Sequence, residues 1–148
     1  MTEKDYISAV NIQPDNITAI HHLGTIWEKI GGEKLPQALQ NFNDVIRMDQ
    51  TYAPSFNGRG LVWDRFFNFE EALKDFTVAI KLDSSNAVYW HNWACCYWNM
   101  TNLELSLNDF NKAIELDPEN PIIYSNRGLV QRKLGNYIEA IQDYSKEI

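Results

Sequence analysis

His91 and Cys95 stand four residues apart, one turn of a helix, and come nearer than any other residues of this chain to the spacing of a metal site. Two donors do not hold zinc, which takes four protein ligands or three and a water, and His21 and His22 lie far upstream. The expectation is no metal and no cofactor, with Cys95 an ordinary buried or groove-lining thiol. Acids that could act as proton donors or acceptors, Glu70, Glu71, Asp75, Glu104, Asp109 and Asp143, recur with the period of the chain. A solvated outer helix face accounts for them better than an acid/base pair does. No glycine-rich phosphate loop, G-x-S-x-G or H-E-x-x-H occurs, so catalytic residues are not expected.

Composition excludes further classes. The formal charge is -7 and the pI about 4.9, and no cluster of Lys and Arg offers a track for phosphates, so nucleic acid is not an expected partner. Apolar runs such as Trp93 to Trp98 fall far short of the ~20 residues that cross a bilayer. The N-terminal residues Met1 to Asp5 carry two acids and lead into no apolar stretch, unlike a signal peptide, which points to a cytoplasmic location. Cys95 and Cys96 are adjacent, a geometry that disfavours a bridge between them and fits reduced thiols.

The elements that carry these residues are set by a period. Ala38 and Phe42, Ala72 and Phe76, Ser106 and Phe110, Ala140 and Tyr144 follow one another in steps of 34, and Ile46, Ile80, Ile114 and Ile148 keep the same step. A second pattern precedes each: Ile20, Leu23, Gly24, Trp27; Phe56, Arg59, Gly60, Trp63; Trp90, Trp93, Ala94, Tyr97; Tyr124, Arg127, Gly128, Gln131. Intervals of three and four place each set on one helix face, and the small residues let paired helices approach while bulky neighbours interlock around them. Turn signals separate the units, Asp117-Pro118-Glu119-Asn120-Pro121 most clearly, with Pro14-Asp15-Asn16 and Asp83-Ser84-Ser85-Asn86 as weaker copies.

This pattern resembles the tetratricopeptide repeat, a 34-residue helix-turn-helix that reads W-x2-L-G-x2-Y, then A-x3-F, then P. The likeness spans nearly the whole chain and implies an all-α fold, a right-handed α-solenoid of stacked antiparallel helix pairs. Nine helices are expected: an orphan second helix near residues 3–12, then repeats at 17–52, 53–86, 87–120 and 121–148, the last truncated. A two-residue insertion near Gly31-Gly32-Glu33-Lys34 lengthens the first turn. Arg59 and Arg127 replace the usual Leu, Gln131 replaces an aromatic, and Phe67 and Thr101 replace the usual turn glycine, which predicts stiffer or reshaped turns there.

In the family's architecture the first helices line a concave groove, and the residues left over by core packing face it. Here these are His21, Asn57, Leu61, Val88, His91, Asn92, Cys95, Trp98, Ile122, Asn126 and Leu129. Trp98 stands out because Trp90, Trp93 and Tyr97 already fill the core pattern of its helix; it anchors a ligand or covers the adjacent helix. Some family members hold the acidic C-terminal tail of chaperones with a carboxylate clamp. Asn92 and Asn126 match it, but His21, Asn57, Val88 and Ile122 occupy positions that need cations, so that partner is disfavoured.

The function the resemblance implies is a non-catalytic scaffold that binds a peptide or helical segment of another protein in the groove. Two alternatives stand beside it: a structural segment of a longer array acting through its ends, with end-to-end self-association, or the docking arm of an enzyme outside these residues. Tyr6, Ala9 and Val10 lack the helix they would pack on, and the last helix meets no capping helix, which is what a piece of a longer array would show.

Overall fold

The computed structural model describes residues 1–147. Ile148, the last member of the 34-residue isoleucine series, lies outside the described residues. Among the described residues there are nine α-helices and no strand: α1 (Glu3–Ile12), α2 (Ile17–Ile30), α3 (Leu35–Met48), α4 (Ala53–Arg65), α5 (Phe69–Leu82), α6 (Ala87–Asn99), α7 (Leu103–Leu116), α8 (Pro121–Leu134) and α9 (Tyr137–Tyr144). Antiparallel hairpins form from α2 and α3, α4 and α5, α6 and α7, and α8 and α9. The fold class is an all-α solenoid of such pairs. The chain divides into two compact units, Met1–Leu82 with α1 to α5 and the residues from Asp83 onward with α6 to α9.

Asparagine starts most of the first helices. The side chains of Asn16, Asn86 and Asn120 accept hydrogen bonds from the amides of Ala19, Val88 and Ile122, relieving donors that a helix N-terminus leaves unpaired. Pro121 then opens α8, where a missing N–H costs nothing. The two-residue insertion forms a 3-10 turn, Gly32–Lys34, entered through Gly31 and Gly32 at positive φ. In the first unit α1 lies on α2 without a fully buried residue of its own, held by the indole of Trp27 donating to Glu3 at 2.7 Å.

Within each unit the core is a ring set into a small residue. Phe42 and Phe76 are fully buried in the first unit, and a Cβ at Gly60 would lie 2.7 Å from the ring of Phe76. In the second unit Phe110 packs with Ala94, Ala113, Ile123 and Val130. Gly58 is tighter still, its ideal Cβ 2.5 Å from Phe42, although the repeat pattern asks for no glycine there.

Three expectations need correction. The turns at Phe67 and Thr101 are not reshaped: φ is 58° and 59°, beside 84° at Gly135, and each closes with the same long-range amide bond. Those bonds run from Asn68 to Trp63, Asn102 to Tyr97 and Asn136 to Gln131, all 2.9 Å. Two L-residues thus sit in a left-handed conformation that glycine adopts freely. Second, Trp90, Trp93 and Tyr97 are only half-buried, and the buried residues of α6 are Tyr89, Ala94 and Cys96. Helix α6 is apolar on nearly every side, so periodicity did not single out a core face. Third, Asp75 and Asp143 are not on a solvated face, being 4% and 3% exposed. The reason is an ion pair inside each of their helix pairs, α4–α5 and α8–α9.

Candidate functional site

Helices α6 and α8 bring Val88, His91, Asn92, Cys95, Trp98, Ile122, Asn126 and Leu129 onto one side of the second unit, while His21, Asn57 and Leu61 lie on α2 and α4 of the first. Three hollows follow α6 and α8. Val88, His91 and Ile122 line one of ≈ 190 Å³ with Ala87, Asn120 and Ile123. Cys95, Trp98, Asn126 and Leu129 line a small one over Phe110. Trp98, Asn99, Thr101, Leu103 and Lys133 surround the widest, ≈ 380 Å³. Val88 and Ile122 are 52% and 63% exposed, which for β-branched apolar residues leaves a surface that gains from being covered. Trp98 packs on the core cluster of its unit and also lines two hollows.

The histidines hold helices together. In the first unit His21 lies over the ring of Phe42 at 5.6 Å and bonds to the buried hydroxyl of Ser55 at 2.9 Å. In the second, His91 meets Phe110 edge-on at the same 5.6 Å and accepts from the Asn126 amide at 2.8 Å. With Nε2 accepting, the proton is assigned to Nδ1, which faces Asn92 Oδ1 at 3.3 Å. Burial lowers both imidazoles, His21 to about 4, with the neighbouring His22 adding to the shift there. Both rings are therefore neutral near pH 7 and supply no cation to a carboxylate. Cys95 lies 3.8 Å from His91 Nε2, whose lone pair Asn126 already engages. No group of three or more His, Cys, Asp or Glu with metal-site geometry occurs among the described residues.

Residue spacing alone passed over the charged ties. Arg59 on α4 donates to both oxygens of Asp75 on α5, at 2.8 and 2.7 Å, and to Asn43 on α3 at 2.8 Å. Arg127 on α8 repeats this with Asp143 on α9 and Asn111 on α7. Each guanidinium also stacks on the aromatic three residues before it, Phe56 or Tyr124. The arginines that departed from the family's leucine are thus three-helix ties. The signal was available as an Arg-to-Asp interval of 16 residues occurring twice, 68 residues apart. A further pair, Glu28 to Arg65 at 2.7 Å, joins the ends of α2 and α4, with the glutamate buried.

Electrostatically the second unit's inner helices differ from the chain as a whole. Helix α6 carries no charged residue, and α8 carries Arg127, Arg132 and Lys133 with no acid, in a protein of net charge -7. No helix among the described residues is long and apolar enough to cross a membrane.

Comparison with known proteins fits this architecture. The sequence profile of the TPR repeat matches residues 102–135, a window that frames α7 with α8, the second helix of one pair and the first of the next. No characterised protein sequence matches the chain. Among solved structures, the crystal structure of MamA is similar over 98% of this chain and 84% of its own length, at 20% identity and a TM-score of 0.80. A MamA fragment, 41-end, from Desulfovibrio magneticus RS-1 is similar over 98% and 81%, at 15% identity and a TM-score of 0.80. A third, MamA MSR-1 C2, covers 89% and 75% at 14% identity and a TM-score of 0.69. The chain thus carries a TPR repeat at residues 102–135 and, over 98% of its length, is similar in fold to those structures.

Proposed function

We propose that this chain is a non-catalytic protein-interaction module that binds an extended peptide segment of another protein along α6 and α8 of its second unit. One observation carries the reading: side chains that core packing leaves over on these first helices are apolar and exposed, Val88 and Ile122 above all, which rim one hollow while Trp98 lines two others farther along α6. Apolar and aromatic anchors spaced along a groove are how such surfaces gain affinity. Panning a random heptapeptide library tests it. Peptides enriched on the full chain are expected to lose binding to a Val88→Asp/Ile122→Asp variant whose melting temperature is unchanged. Peptides that bind both equally refute the site.

A second reading has its own observation. On α9, Tyr137, Ile138 and Ile141 are 65%, 71% and 68% exposed, whereas Leu103 and Leu107, the equivalents of Tyr137 and Ile141 on α7, pack against the core of their unit. That face suits a second copy of the chain. Sedimentation over a concentration range should then show a dimer that Ile138→Lys/Ile141→Lys dissolves; a monomer throughout rejects it.

A further inference from the structure

The two units resolve the same structural station in different ways. In the first, the end of α2 meets the end of α4 through Glu28 and Arg65, an ion pair of 2.7 Å whose acid is buried. Allowing for the insertion, the residues at those two repeat positions in the second unit are Trp98 on α6 and Lys133 on α8. The cation is retained and the acid is replaced by an indole. Instead of a closed pair there is an open hollow of ≈ 380 Å³, with Trp98 and Leu103 as apolar wall and Lys133 at its edge. Lys133 is exposed and makes no ion pair among the described residues, and neither α6 nor α8 contains an acid that could supply one. Thr101, held at φ 59° where the equivalent turn of α8 has Gly135, puts a side chain into the lining of this hollow. Backbone strain kept at the rim of a cavity is where strain most often has a use.

We infer that this hollow takes an acidic residue of a partner peptide next to an apolar or aromatic one, the partner's carboxylate standing beside Lys133 where Glu28 stands beside Arg65 in the first unit. The apolar neighbour lies against Trp98 and Leu103, burying surface that a carboxylate alone would not cover. The inference rests on the peptide-binding reading and adds to it the chemistry of the segment bound. It also gives a reason why an acidic protein keeps α8 basic: a groove of opposite sign favours acidic segments over the basic ones that the rest of the surface attracts.

The heptapeptide selection separates the two levels. On the full chain, sequences with Glu or Asp within two positions of Leu, Phe, Tyr or Trp should dominate. Representative peptides should bind at least tenfold more weakly when that acid is replaced by its amide. Lys133→Glu, an exposed substitution that leaves the core untouched, should abolish the acid preference and enrich Lys or Arg in its place. If the selected peptides carry no acid preference, or bind Lys133→Glu within twofold of the unaltered chain, the inference fails. Loss of the same peptides on Val88→Asp/Ile122→Asp would then still leave the peptide-binding site standing. A selection that yields no binder overturns both.

Discussion

One structural position, seen in successive repeats, separates a tied helix pair from an untied one. In α4–α5 and α8–α9 an arginine, an aspartate and an asparagine join three helices, Arg59 with Asp75 and Asn43, Arg127 with Asp143 and Asn111. In α2–α3 both charges are absent: Leu23 and Asn41 take their places, Leu23 buried and Asn41 bonded to the Ile20 carbonyl. The α6–α7 pair keeps the acid and loses the base. Trp93 stands at the arginine position, stacked on Trp90 at 5.6 Å as the guanidinia stack on Phe56 and Tyr124. Asp109 is left with Oδ2 buried and unpartnered, as is the indole N–H of Trp93. Burial raises the Asp109 carboxyl to about 6 and, with the Asp109 charge as a lesser cause, also raises the Tyr97 phenol. A buried carboxylate is tolerated when a guanidinium answers both oxygens; without one, it keeps its proton to a higher pH and is an unanswered charge above it.

Breaking a tie should have the largest effect. Arg59→Met leaves Asp75 buried without its partner and should lower unfolding free energy by ~3–5 kcal/mol in urea denaturation. A loss below ~1 kcal/mol would place the pair with ordinary surface bridges. Completing the missing tie should come next. Trp93→Arg should be ~1–3 kcal/mol more stable than Trp93→Met at pH 7.5, because only arginine can answer Asp109. In a double-mutant cycle that difference should vanish when Asp109→Asn is added.

Removing the unanswered charge is a smaller step. The folded chain holds the Asp109 proton more tightly than the unfolded chain does, so Asp109 lowers stability fully above about pH 6 and not at all below the ordinary carboxyl range near 3.8. Asp109→Asn should therefore stabilise by about 1 kcal/mol at pH 7.5, the partial exposure of the site limiting the gain, and the advantage should fade by pH 4. His21 runs the other way, since its lowered imidazole costs stability as pH falls from 6.5 toward 4; only the difference between variant and unaltered chain isolates Asp109. The smallest effect belongs to the strained turns. Phe67→Gly and Thr101→Gly relieve positive φ but loosen the unfolded chain, so each should gain only ~0.5–1 kcal/mol in thermal unfolding, and Gly135→Ala should lose a similar amount.

The helices were legible because their causes are local. Asn16, Asn86 and Asn120 cap α2, α6 and α8 at the places where the spacing starts them, and the small-then-aromatic steps set Phe76 into Gly60 and Phe110 beside Ala94. The Arg59 and Arg127 ties were not legible, because 16 residues separate partners on different helices and either charge alone resembles a solvated one. Nor did α6 reveal which aromatics it buries. Its sequence is apolar on nearly every side of the helix, and its packing puts Tyr89 and Cys96 inside while Trp98 is shared between core and hollow.

Periodicity along the chain decided the helix pairs, their order and the small residues that let them close, since each depends on contacts between residues near in sequence or one repeat apart. Tertiary packing decided the state of the polar residues, through the side chains that neighbouring helices bring against them. The same His position became a neutral helix tie, the same Asp position a salt bridge or an orphan, and the same helix end a closed ion pair or an open hollow beside Lys133. The physical reason is that burial multiplies the strength of an electrostatic interaction, and burial is a property of what surrounds a side chain rather than of its place in a repeat.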